Sequence, residues 1–267
     1  MRTLGWCHNG YHTLPAAEVA RRARLAGLDA LIIKYGDPAF EGAVAASGID
    51  WGVERFAYAH QPEREARMLA DAVDAGASFA VANCEPNDGG GWERPEAARA
   101  IRTLIDAFRR RHPHVPLWIC ADLRRGRSLD TPFVREAASR GIDGWMPMVY
   151  PQAFGQTVTA AFDAAYPGAS YLGLPCAPVI QSYDRVGAGM LLEQAYEASR
   201  RGAPSLSIYV VETATERELA ALGWAARADD AAHALCDTAL AYLRGAVAVL
   251  DHGTPADLRA WAQRFGG

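Results

Sequence analysis

The chain has 267 residues, 50% hydrophobic and 22% charged, enough for one large core and outside the composition of disordered chains. Its net charge of -4 and pI of about 6.0 supply no basic field, and its densest basic runs, Arg109-Arg110-Arg111 and Arg124-Arg125, are short, which argues against nucleic acid as a partner. No run of about 18 apolar residues marks a membrane span, and the N-terminal MRTLGWCHNG lacks the apolar stretch of an export signal; the protein is expected in the cytoplasm as synthesised, any release or virion association not being driven by a signal of its own.

In chain order, eight strand candidates stand out: TLGWCHN, DALIIKY, WGVERFAYA, SFAVANCE, PLWICAD, GWMPMVY, SYLGLPCAPVIQ and LSIYVVE. Their ends fall near positions 8, 34, 58, 85, 122, 150, 181 and 212, a repeat of roughly 30 residues, the size of one βα unit. Helix starts lie between them at Thr13 to Pro15, Pro62, Pro95 and Thr131-Pro132, where proline loses no hydrogen bond in the first turn. Helix ends are marked by Gly27, Gly76, Gly141 and Gly202, suited to the left-handed cap. In IRTLIDAFRRR, Ile101, Leu104, Ile105 and Phe108 recur on one helical face.

Short, continuously apolar strands alternating with helices indicate a buried parallel sheet, and eight such units match a single α/β domain, the (β/α)8 TIM barrel, spanning 1–267. A closing helix is expected at about 229–250 and a short C-terminal one at about 254–265. An open doubly wound sheet would carry a glycine-rich phosphate turn; GDPAFEGAVAASG lacks G-x-G-x-x-G, and NDGGGWERP has no Lys-Ser/Thr. The chain's five cysteines show no zinc-like spacing; Cys7, Cys84, Cys120 and Cys176 lie in apolar runs and read as reduced core thiols. His8 and His12, four apart, fall in a strand and loop rather than on one helix face, so neither metal nor other cofactor is expected.

In a barrel, side chains at the C-terminal strand ends converge on one mouth. Those ends carry His8, Lys34, Asp37, Tyr58, Asn83, Glu85, Asp122, Tyr150, Gln152, Gln181 and Glu212. Period two puts Asn83 and Glu85 on one side of their strand and Cys84 on the other. The pair delivers one group able to hold a substrate and one able to move a proton, against the plainer reading in which Glu85 caps a loop or pairs with Lys34 or an arginine. Asp122, on the next strand, is the expected second carboxylate; its plainer role is an ion pair with Arg124 or Arg125. Carboxyl groups about 5 Å apart would favour retention of configuration, and about 6.5 to 9.5 Å inversion. Among the aromatic residues, Tyr58, Trp92 and Tyr150 are candidates for stacking on sugar rings.

The stretches FAVANCEP, closing the fourth strand, and GWMPMVYPQ, closing the sixth, resemble the glycoside hydrolase-like TIM barrels, which include phage and bacterial cell-wall hydrolases. Asn83-Cys84-Glu85 is similar to the Asn-x-Glu of endo-β-N-acetylglucosaminidases, and Met148-Val149-Tyr150 to the Met-x-Tyr of chitinase-type barrels. The resemblance implies that the substrate's N-acetyl group attacks the anomeric carbon, with Asn83 orienting it, Glu85 as acid/base and Tyr150 supporting the acetamido oxygen. Two positions depart from the chitinase pattern: Asn83 stands where that pattern has Asp, and Pro151-Gln152 follow Tyr150 where it has Asp.

The resulting expectation is a glycoside hydrolase cleaving an oligo- or polysaccharide, including N-acetylhexosamine-containing cell-wall or surface glycans. Asn83, Glu85, Asp122 and Tyr150 form its catalytic set; His8, Lys34, Asp37, Tyr58, Trp92, Gln152, Gln181 and Glu212 bind substrate. The rival is a catalytically silent barrel that binds glycan or serves in phage or cell-surface assembly. A third reading, an aldolase or isomerase, would need Lys34 as a Schiff-base amine or an anion nest after the last two strands. The oligomeric state is left open.

Overall fold

The structure is a computed structural model describing residues 1–8, 14–85, 89–183 and 186–227. Strands β1 (Arg2–Cys7), β2 (Ala30–Lys34), β3 (Asp50–Phe56), β4 (Ala80–Asn83), β5 (Leu117–Ala121), β6 (Gly144–Val149), β7 (Val179–Gln181) and β8 (Ser205–Tyr209) pair in sequence order. Every pairing is parallel, and β1 joins β8 to close the barrel. The helices alternate with them: α1 (Ala16–Leu25), α2 (Pro38–Ala46), α3 (Pro62–Asp74), α4 (Ala97–Arg111), α5 (Pro132–Ser139), α6 (Val158–Tyr171), α7 (Gly187–Arg200) and α8 (Glu216–Arg227). This is the (β/α)8 barrel that the repeat of helix, glycine and apolar strand predicts.

Local chemistry sets the element boundaries. Pro62 and Pro132 open α3 and α5, while α4 starts two residues beyond Pro95, at Ala97. Gly27, Gly76, Gly141 and Gly202 all have positive φ, so the chain can leave each helix in the left-handed conformation without a Cβ clash. Thr215 and Glu218 form a reciprocal cap at α8: Glu218 N–H donates to Thr215 Oγ1 at 3.2 Å, and Thr215 N–H to Glu218 Oε2 at 2.6 Å.

Strand alternation divides the core into two shells. Leu31, Ile33, Val53, Ile119, Trp145 and Ile180 pack outward with the apolar helix faces, including Ile101, Leu104, Ile105 and Phe108 of α4. Burying each such large side chain contributes roughly 1.5–3 kcal/mol. Leu4, Trp6, Ile32, Val81, Cys120, Met146, Met148 and Val179 pack inside the barrel. Phe79 and Trp118 belong to that inner shell because glycines face them: a Cβ on Gly52 would stand 2.3 Å from the Phe79 ring, and one on Gly144 2.3 Å from Trp118.

One predicted strand is corrected. SYLGLPCAPVIQ was expected to be extended from Ser170, but α6 runs through Tyr171 and β7 begins only at Val179. Pro175 and Pro178 supply no N–H to a ladder, leaving Cys176 in an isolated bridge to Trp145 between them. The expected closing helices at about 229–250 and 254–265 lie outside the described residues. No helix among the described residues is long and apolar enough to cross a membrane.

Candidate active site

Register explains which polar groups reach the barrel mouth. Lys34 lies two residues beyond inward-facing Ile32, and it pairs with Glu54. Glu54 pairs in turn with inward-facing Val81, two residues before Asn83. Glu54, Lys34 and Asn83 therefore share the inner face.

Beyond the last ladder bonds a cavity of about 160 Å³ opens, lined by Trp6, Asn83, Glu85, Cys120, Met148, Tyr150 and Tyr209. Asn83 Nδ2 donates to Glu85 Oε1 at 2.8 Å. The same amide also hydrogen-bonds Glu54. With both neighbours acting as acceptors, the amide's orientation is fixed. Its oxygen, Oδ1, is buried and has no hydrogen-bond partner among the described residues. Cys84 turns outward into the helix-facing shell, as period two requires. Trp6 Nε1 is satisfied by Ser207 Oγ at 2.9 Å, so its ring serves as an apolar wall, in edge contact with Tyr209 at 5.8 Å.

The electrostatics follow from burial. Glu54 is pushed up to about 7, mainly by desolvation; Lys34, the Asn83 hydrogen bond and Arg55 pull it back only in part. Glu212 also rises to about 7 through burial, opposed by backbone hydrogen bonds from its own N–H and from His8. The His8 N–H donates to Glu212 Oε1 at 2.7 Å, and His8 Nε2 lies 3.3 Å from Lys34 Nζ. Burial, followed by the nearby acidic groups, raises Tyr150 and Tyr209, so both phenols keep their protons. Burial likewise raises Cys120 and leaves it a thiol rather than a nucleophile.

The structure thus gathers Asn83, Glu85 and Tyr150 in one cavity, with His8, Lys34 and Glu212 joined in a neighbouring network. Other expected site residues have different work. Asp122 is clamped by Arg124, whose Nε and Nη2 reach its two oxygens at 2.8 and 2.7 Å, the plainer role anticipated for it. Trp92 is a correction: it is fully buried, donates from Nε1 to Ala57 O at 2.7 Å and packs on Phe133 at 5.3 Å, so it offers no face to a sugar. Gln181 is a second correction, since its buried side chain accepts from Ala153 N–H at 3.1 Å and donates to Tyr183 O at 3.4 Å, pinning loops rather than facing a ligand. Asp37 caps α2 by accepting from Phe40 N–H at 3.0 Å. Tyr58 is half-buried between Phe56 and His60, and Gln152 is exposed.

Sequence reasoning missed Glu54 and Tyr209 as site residues. A carboxylate inside an otherwise apolar strand was the available signal for Glu54. Tyr209 was passed over because the last strand was read through to Glu212, whereas the ladder ends at Tyr209. Among the described residues no three His, Cys, Asp or Glu side chains gather as a metal site.

Fold and site together define a (β/α)8 barrel with a carboxylate, an amide and two phenols at its C-terminal mouth. No family model matches the chain, and no curated protein matches it in sequence. Among solved structures it is similar to a chitinase from Chromobacterium violaceum, at TM-score 0.64 and 13% identity over 85% of this chain and 99% of that one. A class V chitinase from Pseudomonas fluorescens matches at TM-score 0.61 and 9% identity, over 85% and 99%. The protein CitE from Mycobacterium tuberculosis, solved with magnesium and acetate, matches at 0.51 and 16%, over 90% and 96%. At these identities the likeness shows the fold alone, and the chemistry must be argued from the site.

Proposed function

We propose that this barrel is a glycoside hydrolase acting on N-acetylhexosamine-containing glycans, with Glu85 as proton donor and acceptor and the substrate's own acetamido group as nucleophile. The observation that carries this reading is Asn83. Its Nδ2 is committed to carboxyl oxygens and its buried Oδ1 awaits a donor, a position that an acetamido N–H fills. An unmade hydrogen bond at a buried acceptor costs about 1–3 kcal/mol, which such a ligand recovers.

Two further features support it. Glu85 is the one carboxylate among the described residues lining the cavity, and Asp122 is held by Arg124, so an enzyme carboxylate is poorly placed to attack the sugar. In the proposed step the acetamido oxygen bonds to the anomeric carbon as the glycosidic bond breaks, and Glu85 passes its proton to the leaving oxygen. Water, deprotonated by Glu85, then attacks the same carbon and restores the acetamide, with net retention. Tyr150, still protonated, donates to the acetamido oxygen and holds it in line. The likeness to two chitinases is consistent with this chemistry and lends it no residue.

The test compares wild type with Glu85→Gln on chitin oligosaccharides, peptidoglycan and aryl N-acetylhexosaminides, with thermal melts in parallel. The expected loss in a folded variant is about 10²–10⁴-fold, the usual contribution of a general acid. An unchanged rate removes Glu85 from the chemistry, and equal turnover of substrates lacking the acetamido group rules out its participation. A wild type that binds these glycans and cleaves none is the silent barrel.

A further inference from the structure

A second, larger cleft of about 850 Å³ lies beside the mouth, between the β5–α5 loop, α5 and α6. Its rim carries Arg124, Arg125, Arg127 and Arg135, against Asp130 and Asp163. Asp163 is paired with Arg201, and Asp130 accepts from Gly126 N–H at 2.6 Å. Arg125, Arg127 and Arg135 are exposed and have no ion-pair partner among the described residues. In a chain whose net charge is -4, a concentration of uncompensated guanidinium groups in one concavity is a local anion trap rather than a general basic surface.

The loop that presents them is held in shape. Gly126 turns at φ +73° between Arg125 and Arg127. Arg127 N–H donates to Arg124 O at 3.1 Å, and Ser128 N–H to Asp122 O at 3.0 Å. Arg124 is fixed twice, by Asp122 and by stacking on Phe154 with its guanidinium carbon 3.4 Å from the ring centroid. Phe154 lies 5.7 Å from the ring of Tyr150, which lines the cavity holding Glu85. Arg124 on the cleft is thus linked through Phe154 to Tyr150 of the candidate catalytic cavity. Leu129, Ala164 and Leu172 give the cleft apolar surface beneath its charged rim, as the face of a sugar ring requires.

We infer that this cleft is an extended subsite for an anionic saccharide, so that the substrate is an acidic glycan carrying carboxylate groups on the sugars next to the N-acetylhexosamine that is cleaved. The inference rests on the hydrolase reading for its placement along the substrate, while the cleft's preference for acidic sugars is measured without turnover. The bidentate geometry of arginine suits a planar carboxylate.

The experiment measures binding to the full chain carrying Glu85→Gln, by calorimetry at low and at physiological salt. The probes are a tetrasaccharide alternating glucuronate with N-acetylglucosamine, neutral chitotetraose, inorganic phosphate and a short oligothymidylate. The acidic tetrasaccharide is expected to bind about tenfold more tightly than the neutral one, the scale of a few partly exposed charge contacts, with the advantage shrinking as salt rises. Adding Arg125→Gln, Arg127→Gln and Arg135→Gln should abolish the advantage while leaving chitotetraose affinity and the melting midpoint unchanged. Equal binding of the two tetrasaccharides overturns the inference, as does an advantage that survives the triple substitution. Phosphate or oligothymidylate binding as tightly as the acidic sugar overturns it too. A protein that prefers the acidic sugar through these arginines but cleaves nothing keeps the cleft and loses the hydrolase reading; one that cleaves only neutral glycans, without preference, loses the cleft alone.

Discussion

Asn83 stands between two acids, donating to Glu85 and to Glu54 while its oxygen stays open. Replacing it by Asp keeps the shape, removes both donated hydrogen bonds and adds a third carboxyl group to the cluster. Like charges at this spacing disfavour ionisation, so protons are held to higher pH. Asn83→Asp is therefore expected to move the alkaline limb of the kcat/KM profile upward, with a fall in turnover from the lost orientation. A pH–rate profile on an aryl N-acetylhexosaminide checks this, and a limb that stays in place would mean that Glu85 is not the titrating acid. Asn83 and Glu85 were legible in the sequence because both end an apolar strand with the same parity. Glu54 was not, because its partners are set by register: Lys34 lies 20 positions earlier and Asn83 29 later, and only closure of the sheet brings the three together.

The shortest strand shows how an element with a short ladder is held. β7 has three residues, and α7 reaches back to complete it: Gln181 N–H donates to Gln194 Oε1 at 3.1 Å, and Gln194 Nε2 donates to Gln181 O at 3.1 Å. Both glutamines are fully buried, so Gln194→Leu would leave a backbone donor and acceptor without partners inside the core. Each unmet group costs about 1–3 kcal/mol, and urea unfolding should register a loss of about that size or somewhat more. Because the Gln181 side chain also anchors Ala153 N–H, three residues beyond Tyr150, the variant should lose activity as well. A variant as stable as wild type would show that the local backbone finds other partners. No sequence pattern exposed this device: Gln194 sits within an ordinary helix, and the prolines that shorten β7 read equally well as turns within a long strand.

The barrel as a whole was legible because eight repeats of one local sentence leave few ways to bury eight apolar strands, whereas the chemistry depends on a handful of groups whose burial the sequence does not display. That burial has a consequence for the stability of the entire molecule. Glu54, raised from 4.5 to about 7 in the fold, retains its proton in the folded state over a range where the unfolded chain has lost it. Unfolding therefore releases a proton between these values, and the contribution of Glu54 to stability is greatest below about pH 4.5 and declines as pH rises to about 7. Glu212 acts in the same direction. Surface carboxylates held low by arginine, such as Glu18 beside Arg21 and Arg22 and Asp106 beside Arg140, act the opposite way and lose their contribution as pH falls. The two groups together define a stability maximum near pH 5, below neutrality, with the mouth setting its alkaline side. Urea unfolding should find the wild type less stable at pH 7.5 than at pH 5 by about 5 kcal/mol, Glu54 and Glu212 contributing about 2–3 kcal/mol each through shifts of this size. Glu54→Gln, which mimics the protonated group, should remove about half of that difference by raising stability at pH 7.5 while changing it little at pH 5, the rest remaining with Glu212. Equal stability of the wild type at both values would mean that Glu54 and Glu212 both ionise freely within the fold, burial being offset by Lys34 and Asn83 at the one and by the His8 N–H and Arg22 at the other.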